Sequence, residues 1–210
     1  MKWDTIIAKP SLNLIALCIL CISVTAQENT TNYWLNEGQS LMANGSFEQA
    51  YQAYDKAIQI DPESANAWCG KGFALFELRK YEEAIKAYGK ALEIDPKNVD
   101  AWSGRGTTLG QIGRYAESLE AYDKAIENIG NLPVTTNQSK KLSSFWVLKG
   151  FVFDLTKRTD EALIAFTKAA EIDPQNVDAW VAKYKILTEL GKHDEADEAL
   201  AKARDLGYPK

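Results

Sequence analysis

Tryptophan recurs along this chain at a fixed interval, and the small and apolar positions around it keep step. Trp34, Trp68, Trp102, Trp146 and Trp180 are separated by 34, 34, 44 and 34 residues. One 34-residue unit fits all five if ten extra residues lie between Trp102 and Trp146. Four residues after each tryptophan stands Gly38, Gly72, Gly106 or Gly150, with Tyr184 in the last unit. Seven after stands Leu41, Leu75, Leu109, Phe153 or Leu187. Offsets 0, +4 and +7 fall on one face of an α-helix, so each unit is predicted to open with an amphipathic helix. Offsets +16, +20 and +23 mark the face of a second helix. They hold Ala50, Tyr54 and Ala57, then Ala84, Tyr88 and Ala91, and so on to Ala196, Leu200 and Ala203.

Turn residues separate the two faces: Asn44-Gly45, Gly113 and Gly191. Pro62, Pro96 and Pro174 close three units, because proline cannot continue a helix. The Ile-Asp-Pro triplets at 60–62, 94–96 and 172–174 place their carboxylates about one repeat apart. They read as turn chemistry and not as a paired acid and base. The predicted packing sets large rings into space left by small residues, with tryptophan fitting against glycine. Burying one such ring removes roughly 150–250 Å² from water, an upper bound of about 4–6 kcal/mol.

The order W-x3-G-x2-L, then A-x3-Y-x2-A, then Pro resembles the tetratricopeptide repeat family. Repeats run over 31–64, 65–98, 99–132, 143–176 and 177–210, with an insertion at 133–142. The resemblance implies an all-α fold: a right-handed α-solenoid of five helix-turn-helix repeats whose first helices line a concave groove. It also implies a protein or peptide bound in that groove and no catalysis. Tyr184 departs from the glycine pattern, and Gly130 and Tyr208 stand where proline is expected. The fifth repeat should therefore pack differently and act as an end cap, its last helix being highly polar over 194–198. The chain stops at Lys210 with no further helix to cover that end, so a homodimer through it is the competing arrangement. The insertion, with Thr135, Thr136, Asn137 and Ser139, reads as a polar surface loop.

Composition narrows the partners. A 46% apolar and 25% charged chain is globular in character. Its net charge of −5, with no basic block, argues against nucleic acid, which needs clustered lysine and arginine. The N-terminus differs from the rest. Lys2 and Lys9 precede an apolar run over 12–24 that ends in Val24-Thr25-Ala26, the small-residue spacing a signal peptidase reads. The run is short against the ~20 residues of a membrane span. Residues 1–26 are expected to be a cleaved export signal and 27–30 a linker, giving a secreted or cell-surface protein. An uncleaved anchor through 12–24 is the alternative, and the only membrane link foreseen. Cys18 and Cys21 sit inside the run, preceded by Leu17 and Leu20, where neither a redox pair nor a lipobox fits. Only Cys69 remains, so no internal disulfide forms. Asn29, Asn44 and Asn137 open Asn-x-Ser/Thr sequons and are candidate glycosylation sites.

In the family, the first-helix arc at offsets −2, +1, +2, +5, +8 and +9 from tryptophan faces the groove. Carried over residue by residue, +1 holds Leu35, Cys69, Ser103, Val147 and Val181. Offset +5 holds Gln39, Phe73, Thr107, Phe151 and Lys185, and +8 opens with Met42 and Phe76. Phe73, Phe76, Val147 and Phe151 are the informative side chains, since apolar groups clustered on a surface arc mark a contact site. The competing reading packs them against the neighbouring repeat's second helix. Gly70, Gly104 and Gly110 would let a ligand backbone approach closely. A subgroup of the family clamps C-terminal carboxylates with lysine and arginine. Its positions here read Leu35, Gln39, Gly70, Asp100 and Gly104, which excludes that ligand. The expected partner is an extended or helical protein segment with apolar anchors.

Other chemistry finds no footing. His193, the single histidine, falls where other repeats carry Phe47, Tyr81 and Tyr115, and reads as a turn residue. One histidine with one remaining cysteine builds no zinc site, and no Ser-His-Asp set can be placed without it. The glycines between Gly104 and Gly110 lack the spacing and preceding strand of a nucleotide loop. No metal, cofactor or catalytic residue is expected. Two functions remain: a scaffold binding a protein segment in its groove, or a self-assembling structural component of the cell surface joined through repeat ends.

Overall fold

The computed structural model describes residues 30–131 and 135–209. Among them are ten helices and no strand: α1 Thr31–Ala43, α2 Phe47–Ile60, α3 Ala65–Glu77, α4 Tyr81–Ile94, α5 Val99–Gln111, α6 Tyr115–Gly130, α7 Thr136–Leu155, α8 Thr159–Ile172, α9 Val177–Glu189 and α10 His193–Asp205. Each helix packs chiefly on the other helix of its own repeat, and each second helix packs next on the first helix of the following repeat. First helices also touch one another from repeat to repeat, whereas second helices do not. The first helices therefore line the inner side of the expected α-solenoid. The proposed export signal, most of the linker and Asn29 lie outside the described residues. No described helix is long and apolar enough to cross a membrane.

Short polar residues set the helix starts. Ser64, Asn98, Thr135 and Asn176 each accept a hydrogen bond from a backbone N–H three residues on, satisfying a donor the helix itself leaves unpaired. At the other end of each first helix the chain turns through a left-handed residue. Gly45, Gly113 and Gly191 do so without strain, at φ of 73°, 80° and 71°. Arg79 and Lys157 hold the same turn at 60° and 61°, which no glycine signal marked. The N–H of the following residue, Lys80 or Arg158 for example, donates at 2.9 Å to the carbonyl of Leu75 or Phe153, closing the helix end.

The Ile-Asp-Pro triplets are turns. Asp61, Asp95 and Asp173 each accept from the backbone N–H two residues on, at 3.0–3.1 Å. The indole N–H groups of Trp68, Trp102 and Trp180 donate to the carbonyls of Pro62, Pro96 and Pro174 at 2.9, 2.8 and 3.0 Å. The fixed interval from proline to tryptophan thus has a polar cause.

The expected fit of tryptophan against glycine is corrected. The ring that meets the glycines is the aromatic at +20. A Cβ built on Gly38 would lie 2.7 Å from the Tyr54 ring, and one on Gly70 2.4 Å from the other side. Tyr88 sits in the same way between Gly72 and Gly104, each 2.6 Å away by that measure, and Phe166 lies 2.4 Å from Gly150. The two tyrosine slots are one ring thick, each with a glycine from its own repeat and one from the next. The space beside Gly70 and Gly104 where a side chain would go is therefore filled by the preceding repeat's tyrosine. Gly110 faces the Ser118 hydroxyl. The tryptophans lie half-buried, with Lys71, Arg105, Lys149 and Lys183 stacked 5.2–5.7 Å from their ring centres.

Two departures have structural answers. In the fifth repeat Tyr184 packs with Leu187, Ala196 and Ala199, while Leu200 takes the +20 position, so the bulk passes from second helix to first. The insertion, expected as a polar loop, is mostly helix. α7 has 20 residues against 13 in the other first helices and begins at Thr136. Thr135 and Gln138 form a reciprocal cap at its start. Leu142 and Phe145 then pack with Trp102, Ile126 and Ile129. The Thr and Asn residues that suggested a loop are the opening of a longer helix.

Candidate binding groove

On the inner side, Gln39 and Met42 of α1, Tyr54 of α2, Cys69 and Phe73 of α3 and Asp100 of α5 help enclose a cavity of about 410 Å³. Gln39, Met42, Cys69 and Phe73 thus lie around one cavity. Asn66, Asn98 and Gly70 complete the lining. Asn98 is occupied in capping α5, 2.9 Å from the Ala101 N–H. Asp100 meets Lys141, which reaches across from the extended part of α7 at 2.5 Å. That cation was invisible to the groove reading, because it belongs to the insertion.

The floor is apolar and protonated. Cys69 is 5% exposed. Burial above all, then the Asp100 carboxylate, pushes its thiol up to about 12 against an opposing pull from Lys141. It is a small packed residue at neutral pH, not a nucleophile. Burial, with a smaller contribution from Cys69, likewise pushes the Tyr54 hydroxyl up to about 12.

The remaining candidates divide. Leu35 packs in the core of the first repeats. Phe73 meets Tyr88 edge-on at 5.4 Å and Phe76 meets Tyr81 at 5.6 Å, so both lean on the second helix of their own repeat. Thr107 donates to the Ser103 carbonyl at 3.1 Å and bonds the Tyr122 hydroxyl at 2.9 Å. Val147, 5% exposed, belongs to the core of the fourth repeat and offers a partner no surface. Val181 is half-buried and Lys185 exposed. Phe151 touches Phe166 at 5.3 Å yet stays 43% exposed. One turn further along α7, at +9, Leu155 is 62% exposed. It was on the arc but passed over, because the apolar residues stood out at +1, +5 and +8. Asn44 and Asn137 are exposed, at the end of α1 and in the first turn of α7. His193 opens α10, exposed.

Ion pairs join successive repeats behind the groove. Lys71 reaches Asp55 of the preceding repeat at 2.6 Å, and Lys149 pairs with Asp123 at the equivalent place. Among the described residues no group of His, Cys, Asp and Glu side chains is placed to hold a metal ion.

Comparison with known proteins agrees with this geometry. Profiles described as tetratricopeptide repeat match residues 65–98, 87–120 and 156–207, and one described as TPR repeat matches 38–79. No curated protein matches the chain in sequence. Among solved structures, PilF of Pseudomonas aeruginosa superposes with a TM-score of 0.76 at 19% identity, over 88% of this chain and 80% of that one. PilW, described as a widely conserved type IV pilus biogenesis factor, gives 0.73 at 20% identity, over 84% and 77%. YrrB, described as a TPR protein with an unusual peptide-binding site, gives 0.63 at 24%, over 89% and 91%. At these identities the likeness is one of fold. The paired helices, the ring-in-glycine slots and the matched profiles make this a protein-interaction scaffold, and the chain belongs to the tetratricopeptide repeat family.

Proposed function

We propose that the concave face of this scaffold holds an extended or helical segment of a partner protein through apolar anchors. The observation that carries the reading is the pair Phe151 and Leu155. They are neighbours one turn apart on α7, 43% and 62% exposed on the arc that faces inward. Large apolar side chains left together in water are stabilised by a partner that covers them, at about 25 cal/mol per Å². The cavity beside Phe73 supplies a second anchor point. The peptide-binding site named for YrrB supports the choice of ligand class. Scaffolds of this family are typically non-enzymatic, which agrees with the chemistry the groove offers.

Phe151→Ala with Leu155→Ala tests the reading without disturbing the Phe73–Tyr88 contact. Partners captured from native cell-envelope extract should be lost while the helical signal and melting temperature stay close to the parent's. Unchanged capture sinks the proposal. The same reading places the protein outside the cytoplasm, with residues 1–26 removed on export and Asn44 and Asn137 open to glycans where the host attaches them. Mass spectrometry of the native protein should find Gln27 at its N-terminus; a cytoplasmic chain beginning at Met1 contradicts this.

A further inference from the structure

The inward arc carries charge beside its apolar groups, and the balance is one-sided. Asp100, Asp178, Asp154, Glu77 and Glu189 stand at offsets −2, +8 and +9, against Lys185 alone at +5. Asp100 has its partner in Lys141, but both are well exposed, and such a pair contributes little in water. The other four form no ion pair among the described residues. On the second helices, by contrast, Glu93, Glu117, Glu127 and Glu161 each meet a lysine or arginine on their own helix or its cap.

The unpaired carboxylates are not spread at random. Glu77 lies one helical turn beyond Phe73, and Asp154 lies between Phe151 and Leu155 in sequence. Glu77 is near enough to Tyr88, the ring under Phe73, to add to the rise that burial and Cys69 impose on its hydroxyl. An apolar anchor with an unanswered carboxylate beside it thus occurs twice on one face.

We propose that the concave face selects a cationic amphipathic protein segment, its apolar side chains seated at Phe73 and at Phe151–Leu155 and its lysines or arginines meeting Glu77 and Asp154. The proposal rests on the groove reading above and adds to it the sign of the partner's charge. Complementary charge across such a face acts chiefly on specificity and on-rate, and it weakens with salt.

The test is fluorescence anisotropy on the full chain with two synthetic labelled peptides. Both carry leucine at the same positions, and the remaining positions are lysine in one and glutamate in the other. The lysine peptide should bind at least about tenfold tighter, and its affinity should fall as salt rises. Glu77→Lys with Asp154→Lys should weaken it by about tenfold or more, and Glu120→Lys with Glu171→Lys, the same charge change on exposed second-helix positions, by less than about twofold. Phe151→Ala with Leu155→Ala should weaken both peptides. If both peptides bind alike but still depend on Phe151 and Leu155, the groove stands and charge selection is overturned. Equal weakening by the second-helix pair also overturns it, since bulk charge then suffices. If neither peptide binds, or binding ignores Phe151 and Leu155, the groove reading falls with it. Glu77→Gln with Asp154→Asn, closer in shape, replaces the lysine pair if circular dichroism shows that variant unfolded.

Discussion

Gly72 and Gly89 lie in the same repeat, and alanine should act on them with opposite sign. In an exposed helix interior, glycine to alanine stabilises by about 0.5–1 kcal/mol. Gly89 has nothing within 4 Å of where a Cβ would go, so Gly89→Ala should show that gain. At Gly72 the new methyl would stand 2.6 Å from the ring of Tyr88, which is fully buried and already pressed on Gly104. The ring has nowhere to move, and overpacking outweighs propensity, leaving a net loss of about 1–3 kcal/mol. Urea unfolding midpoints moving the same way for both would refute the slot. The buried acids give a second residue-scale expectation. Cys69, Tyr54 and Tyr122 rise to about 12 from ordinary values of 9.0 for the thiol and 10.0 for the phenols, burial being the main cause, and Tyr88 rises in the same direction. The unfolded chain therefore sheds these protons first, and the folded state binds more protons above pH 9. Stability present below that point is lost as pH climbs toward about 12. Thermal melts should fall progressively over this window, and Cys69→Ala should delay the onset. A flat melting temperature into strong alkali counts against the buried acids.

At the scale of elements, the long α7 is held by one buried hydroxyl. Ser143 donates to the Ala169 carbonyl at the end of α8 and accepts from the Asn176 amide, both at 2.8 Å, and Asn176 in turn caps α9. Three helices therefore meet on a group with no solvent access. Ser143→Ala strands the Asn176 amide, at an expected cost of about 1–3 kcal/mol. Its neighbour Ser144 is exposed and bonds only the Lys140 carbonyl. Ser144→Ala should stay within about 0.5 kcal/mol of the parent. Chemical denaturation of the two variants side by side distinguishes them; similar losses would mean the hydroxyl bridges nothing of consequence.

For the molecule as a whole, the two ends of the solenoid decide between a monomer and an assembly. At offset +24 the inner second helices carry Ile58, Leu92, Ile126 and Ala170, where α10 carries Arg204. At +17 they carry Tyr51, Ile85, Leu119 and Leu163, where α10 carries Asp197. At the other end, α1 presents Asn36 where later first helices have glycine, leucine or alanine. Faces that would dock another repeat are thus polar, as terminal repeats need to be for solubility. Sedimentation should find a monomer across micromolar concentrations. Asp197→Leu with Arg204→Leu restores the inner pattern and should produce a concentration-dependent dimer. A parent protein that stays dimeric on dilution would favour assembly through the ends instead.

Among the described residues, the 34-residue period foretold the helix pairs and the apolar faces that join them, because every repeat states the same local pattern and its helices obey a 3.6-residue turn. The Asp-Pro turns were equally plain, since each acts within a few residues of itself. Only the docked helices decided which ring meets which glycine, for Tyr54 answers to Gly38 and Gly70 from two different repeats. The same docking buried Val147 and left Leu155 in solvent, although both stand on one predicted arc. It also turned the insertion into helix, where Leu142 and Phe145 find cover against the preceding repeat. A contact across repeats depends on how far each helix is rotated against its neighbour, and that angle is written in no single stretch of chain.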